Sequence, residues 1–282
     1  MKKYSVLNVE EILAEQKKSD LFRKIGVASA CLIIVLAIAS YFTGWLSGIT
    51  CITMTVVGVL FLRLVLRMKR LRYGKVEQIL LDDCDCDKYI RVYEAIRAGS
   101  PEKSGLDTIS IAKGYFFKGD FQKAKQELST LKPETLKAGP QVMYYNVAIQ
   151  NYLELGELQH AKEIRQAIEK YQASQKPGSP AAKLADQLVA YADFADSFRR
   201  KDFETARGLQ DVIKRNSNHA SQMTLLYYRL AVMELEEGKL EDAKEHLEYV
   251  VQYGGQIFVR PEAERLLKEL NENYTLPVKE EE

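Results

Sequence analysis

The chain has 282 residues, with 40 Lys and Arg against 39 Asp and Glu, so its formal net charge is +1. That balance gives no global electrostatic reason to expect nucleic acid or a polyanionic substrate. Four cysteines, Cys31, Cys51, Cys84 and Cys86, form no spaced set of pairs, so reduced thiols are expected instead of a disulfide framework.

Residues 1–24 form a polar N-terminal segment carrying Lys2, Lys3, Lys17, Lys18, Arg23 and Lys24. From Ile25 to Thr43 the chain runs nineteen residues without a charge. As a helix this stretch is about 28 Å long, close to the thickness of a bilayer core. A second uncharged run, Leu46 to Leu62, extends to Leu66 if Arg63 snorkels to the interface. The expected hairpin is therefore 25–43 and 46–66, turned at Gly44 and Trp45, with Tyr41, Phe42 and Trp45 at the membrane–water boundary. The spacing Gly44 to Gly48 straddles that turn, so it reads as turn chemistry and not as a dimerisation motif. A cleaved signal peptide does not fit, because a second apolar span follows the first at once.

The flanks set the orientation. Arg63, Arg67, Lys69, Arg70, Arg72 and Lys75 follow the second span with no acidic residue among positions 63–75, and the turn between the spans is uncharged. Positive flanks stay on the inner side, so both termini and all that follows are expected to be cytoplasmic. The same basic stretch would lie against anionic head groups. The short hairpin and the absence of sorting tags point to a bacterial cell membrane.

Residues 67–104 read as a basic juxtamembrane linker followed by a helix. Within it, Asp82–Asp87 (DDCDCD) invites a metal reading. Two cysteines two apart point to different faces of a helix, and no second Cys or His cluster exists. An Asp capping a helix that begins near Lys88 accounts for the segment, and no metal or other cofactor is expected.

From 105 to 273 the apolar period is helical throughout. Breaks at Gly119, Gly156, Lys201 and Gly238 sit inside helix–turn–helix pairs. Two places after each break stands a large apolar residue: Phe121, Leu158, Phe203 and Leu240. Three places further stands an alanine: Ala124, Ala161, Ala206 and Ala243, spaced 37, 45 and 37 residues apart. The turn needs a residue that tolerates a left-handed backbone. The alanine suits a close helix crossing, where a larger side chain would force the helices apart. One pair alone cannot bury its apolar stripe, so neighbours must stack.

These four segments resemble the tetratricopeptide repeat. The first carries Ala112, Tyr115, Gly119, Phe121, Ala124 and Leu128; the second Ala148, Tyr152, Gly156, Leu158 and Ala161; the fourth Tyr227, Ala231, Gly238, Leu240, Ala243 and Leu247. The third departs, with Lys201 at the turn and Ser197 where tyrosine is usual. The repeats are longer than the family's and lack its inter-unit proline. The resemblance implies an all-α protein: two transmembrane helices followed by an α-solenoid of tetratricopeptide-like pairs. Arg260–Asn273 would cap it, with Pro261 in the first turn, and 274–282 would be an acidic tail.

The family binds peptides on the concave surface made by the first helix of each pair. Here that surface is expected to carry Lys113, Phe116, Asn146, Gln150, Leu153, Tyr191, Phe198 and Tyr228. The clamp by which some members hold a C-terminal carboxylate is not matched, since Ile109 and Lys113 stand where a Lys and an Asn would be. His160, His219 and His246 lack the i, i+4 partners of a helical metal site, and no nucleotide-binding or nucleophile motif occurs. The reading is a non-enzymatic scaffold, tethered to the lipid bilayer, that binds an unidentified protein or peptide partner and no nucleic acid. The alternatives are an accessory subunit of a membrane complex, packed through Gly26, Ala28, Ala30, Ala37 and Ala39, or an enzyme with an unrecognised site.

Overall fold

A computed structural model describes residues 4–45, 47–99 and 104–273, with the side chains of Ser5 and of 67–73 excepted. The expected acidic tail, Leu46 and most of the basic juxtamembrane side chains lie outside that description. Among the described residues the chain is all helical. It divides into two compact units, 1–78 and 79–282.

The first unit is a helical hairpin. Helix α1 (Val9–Phe42) starts on a capping box: Asn8 accepts from the Glu11 backbone, and Glu11 reaches back to the Asn8 backbone. Helix α2 (Gly48–Leu81) follows a turn in which Gly44 is left-handed at φ +71°. Each helix has 34 residues and is about 51 Å long, well beyond the apolar stretch each contains.

Small residues let the two helices approach closely. Ala30 and Ala37 on α1 are fully buried, and Cys51, Gly58 and Val65 on α2 are buried; within each helix these fall at seven-residue intervals. A β-carbon on Gly58 would lie 2.7 Å from Ile34, and one on Gly26 would lie 3.0 Å from Val65. The seam continues past the apolar region through Ile12, Gln16 and Val76, with Lys75 near Glu15 and over the Tyr4 ring. Residues 9–24 are thus helix, extending the hairpin past its apolar stretches.

The outward faces of the same helices are apolar and uncovered, including Leu32, Val35, Leu36 and Ile38 on α1 and Ile52, Val56, Leu60 and Leu64 on α2. Both helices are long and apolar enough to cross a membrane. The core helix of a water-soluble protein would have such side chains covered.

The second unit takes in the residues from Ile79 onward. Asp85 caps α3 (Cys86–Ala98) by accepting from the Lys88 amide at 3.0 Å. There follow α4 (Gly105–Lys118), α5 (Phe121–Ser129), α6 (Ala138–Leu155), α7 (Leu158–Ala173), α8 (Pro180–Arg199), α9 (Phe203–Asn216), α10 (Ala220–Glu236), α11 (Leu240–Tyr253) and α12 (Arg260–Asn273). Helices α4/α5, α6/α7, α8/α9 and α10/α11 pack as hairpins, α4 also meets α6, and α6 meets α8. Helix α3 packs on α4, where a β-carbon on Gly114 would lie 2.6 Å from Ile90. Helix α12 packs on α11.

The four hairpin turns share one geometry. The residues Gly119, Gly156, Lys201 and Gly238 all have φ between +57° and +89°. Each donates its amide three residues back, and the next amide reaches five back: to Tyr115, Tyr152, Ser197 and Glu234. This is the helix-ending motif that a left-handed residue permits, satisfying carbonyls that would otherwise be orphaned. Lys201 adopts it without being glycine. The alanines that follow, Ala124, Ala161, Ala206 and Ala243, are all buried. The apolar residue between turn and alanine is less uniform: Leu158 is 55% exposed.

The array curls until its two ends meet. In the loop between α11 and α12, the Phe258 amide donates to the Phe117 carbonyl at 3.0 Å, and the Gln256 amide donates to the Cys84 carbonyl at 2.9 Å. The Gln256 side chain in turn accepts from the Asp87 amide. The Phe258 ring lies within 5.0 Å of Phe121 and 6.0 Å of Phe116, centroid to centroid. Gly119 sits under Phe258, where a β-carbon would come within 2.8 Å of the phenylalanine's own. Glycine is therefore required there twice, for conformation and for space.

These turns make a graded prediction for urea unfolding of the 79–282 unit. Gly238→Ala meets no neighbouring atom and should cost about 1 kcal/mol for its left-handed backbone. Gly119→Ala should cost about 1–3 kcal/mol more, because Phe258 must also move. Lys201→Gly should stabilise the unit, by up to about 1 kcal/mol.

Candidate binding site

Along α4, α6, α8 and α10 the inward-facing positions converge. Lys113 and Phe116 on α4, Asn146 and Gln150 on α6, Tyr191 on α8, and Gln222 and Arg229 on α10 line one cavity of about 100 Å³. Five of the eight residues expected on the concave surface are brought together there: Lys113, Phe116, Asn146, Gln150 and Tyr191. The reason for their meeting is the tightness of the curl. Arg229 on α10 reaches past α8 to Glu154 on α6, Nη2 to Oε1 at 3.1 Å. The first helices bring these five side chains round one shared cavity.

The other three expected residues lie elsewhere. Leu153 is buried and lines a separate depression of about 290 Å³ with Leu158, Arg165 and Asp193. Phe198 is half-buried, with the Arg229 guanidinium 5.7 Å from its ring and Phe203 packed beside it. Tyr228 is half-buried among Glu154 on α6 and Glu262 and Arg265 on α12. Burial pushes its hydroxyl pKa up, the two glutamates add to the rise and the arginines oppose it.

The cavity's polar groups are held in defined orientations. Gln150 Nε2 donates to Asn146 Oδ1 at 2.9 Å. Gln222 Oε1 accepts from the Asn218 amide at 3.2 Å. The Tyr191 hydroxyl bonds Ser217 Oγ at 2.6 Å, and Ser217 donates to the Ile213 carbonyl, so Tyr191 is the donor of that pair. Burial raises the Tyr191 pKa against the opposing pull of Ser217 and Arg229, keeping the phenol neutral. Arg229 is 6% exposed and lies between the Phe194 and Phe198 rings, at 5.9 and 5.7 Å.

A larger concavity was not visible in the sequence. It is an open depression of about 600 Å³ between α6 and α7, lined by Gln141, Tyr145, Gln166, Lys170, Tyr171 and Glu163 among others. The Tyr145 and Tyr171 rings meet edge to face at its floor, 6.4 Å apart. Tyrosine is among the residues that protein interfaces favour, and Gln141, Gln166 and Lys170 border it here. The 25 residues between these tyrosines carry no signal that pairs them; only the α6–α7 register does.

The cysteine pair is structural in its setting. Cys84 is left-handed at φ +53°, buried, and tied through its carbonyl to Gln256. Burial first, then the charges of Asp83 and Asp82, push its pKa up to about 12. Cys86 is likewise pushed up to about 12 by burial, by Cys84 and by the flanking aspartates, with Lys118 opposing. Thiols this weak in acidity are almost wholly protonated at pH 8 and poor nucleophiles. Iodoacetamide at that pH should leave Cys84 and Cys86 unmodified in the folded full-length protein and alkylate both in urea, read by peptide mass spectrometry. Rapid alkylation of the folded form would show the pair to be accessible and activated.

No protein-family model, no curated protein and no solved structure matches the chain.

Proposed function

We propose that this chain is a membrane-anchored helical-repeat scaffold whose second unit binds another protein at the cytoplasmic face. The hairpin crosses the bilayer twice, with both termini inside. The 79–282 unit is a short, tightly wound α-solenoid of four tetratricopeptide-like pairs, flanked by α3 and α12. The observation that carries the reading is the long hairpin with small residues on its seam and uncovered aliphatic side chains on its outer faces. Such a surface is stable in lipid and a liability in water. The basic residues on both sides of the apolar stretches and the uncharged turn support the orientation.

The partner site with the best support is the open concavity between α6 and α7. Lys113, Phe116, Asn146, Gln150 and Tyr191 line a smaller cavity, of about 100 Å³, and the partner is placed on the wider concavity instead. Tethering raises the local concentration of this surface near membrane partners without any added contact. A second reading, in which the hairpin packs on helices of a larger membrane complex, draws on Ala28 and Ala39. Both are exposed, away from the seam that Gly26, Ala30 and Ala37 form.

The full-length protein should remain in the membrane pellet after alkaline carbonate extraction. Protease applied outside intact cells should leave the 79–282 unit whole, and the same protease on inverted vesicles should remove it. A photo-crosslinking residue at Gln166 or Lys170 should capture a protein that one at Lys268 on α12 does not. Carbonate extraction of the protein, or digestion from outside, would end the anchoring and orientation reading; equal capture from both positions would end the assignment of the site.

A further inference from the structure

The second helix of each pair flanks the first helix of the next, and the first pair does this over a shorter length. Helix α5 has nine residues, against sixteen in α7 and fourteen each in α9 and α11. At about 1.5 Å per residue it falls about 8–10 Å short of the others. In the second pair α7 reaches far along α8: Arg165 Nη1 donates to the Val189 carbonyl at 3.3 Å, and Gln172 Nε2 donates to Asp186 Oδ1 at 2.6 Å. In the first pair the Phe121 carbonyl accepts from Asn151 Nδ2 at 3.1 Å, and Lys125 Nζ lies 2.7 Å from Glu157 and 5.9 Å from the Tyr152 ring.

Those contacts fix where the shortfall lies. The start of α5 sits beside the end of α6, and the loop 130–137 joins its end to the start of α6, so the two helices run antiparallel. Nine residues cannot flank eighteen, and the part of α6 left over begins at Ala138. The loop turns toward α4 instead, where a β-carbon on Gly105 would lie 2.8 Å from the Leu136 side chain. The open concavity occupies the vacated place. Its α6 wall is Ala138, Gln141 and Tyr145, and its α7 wall runs from Glu163 to Ser174, past the Glu157 that α5 reaches.

We infer that the partner proposed for this concavity presents an amphipathic helix to it, laying about two turns along α7 on the line that a longer α5 would take; this rests on that partner site. Apolar side chains of such a helix cover Tyr145, Tyr171, Ala138 and Ala167. The charges set its direction. Glu163 and Lys170 are about 10 Å apart along α7, the carboxylate at the end nearer α5 and the ammonium at the other. A helix N-terminus favours a neighbouring anion and a C-terminus a cation, so the partner helix runs parallel to α7, from Glu163 toward Lys170. Glu134, from the single turn Pro133–Thr135 just before α6, stands at that second end, where it suits a Lys or Arg in the partner's last turn.

The test uses full-length protein in its native membranes, with a photo-crosslinking residue in place of Gln166 in one variant and of Ser174 in another, and maps the crosslinked partner residues by peptide mass spectrometry. The two positions are about 12 Å apart along α7. On a helix parallel to α7 the crosslinks should fall about eight residues apart in one partner segment, with the Gln166 crosslink nearer the segment's N-terminus. On an extended chain they would fall about four residues apart. Glu163→Gln and Lys170→Gln should each lower the crosslinking yield at Ser174 about two- to fivefold, the effect of one charge at a helix end. A spacing of about four residues, the reverse order, crosslinks in unrelated segments, or yields unchanged in both variants overturns the helix and leaves the partner site standing. Capture from neither position ends the site and the helix with it.

Discussion

The 79–282 unit depends on one repeated constraint: a helix must reverse within two or three residues and then lie close against the helix it has just left. A left-handed residue achieves the reversal by letting two amides fold back onto the ending helix. A buried alanine five residues later permits the close crossing. Both conditions recur at all four turns. Lys201 shows which is the stricter: the backbone geometry is retained at φ +57° even though lysine bears a cost there that glycine would not.

What the repeats build is set by how far they curl. Four pairs with open spacing would leave a concave groove. Here Arg229 spans from the fourth pair to Glu154 in the second, and the α11–α12 loop returns to the turn after α4. Phe258 over Gly119 closes the array by an aromatic contact at a point that has no side chain to resist it. The inner helices meet round a small cavity lined by polar groups, and a broader concavity lies between α6 and α7.

The hairpin also depends on close approach: glycine and alanine on its seam allow the two helices to pack tightly. Beyond the apolar stretch the seam changes to larger groups, Ile12, Gln16 and Val76. One pair of continuous helices thus has two kinds of interface along its length.

The all-helical class, the two apolar helices, the turn positions and the buried alanines were legible in the sequence because each is a local pattern. A charge-free run of nineteen residues needs no partner to be read, and a turn residue followed by an alanine repeats at sight. That an Asp of the 82–87 segment caps the next helix was legible for the same reason, though not which one. The depth of the curl was not, since it depends on contacts such as Phe258 with Gly119 and Arg229 with Glu154, which join residues 139 and 75 positions apart. Which face of the first helices met solvent could therefore be guessed from the repeat but not decided by it. Sequence alone determined the elements and their turns; tertiary structure decided that their inner faces meet, because closure is a property of side chains from distant repeats fitting together.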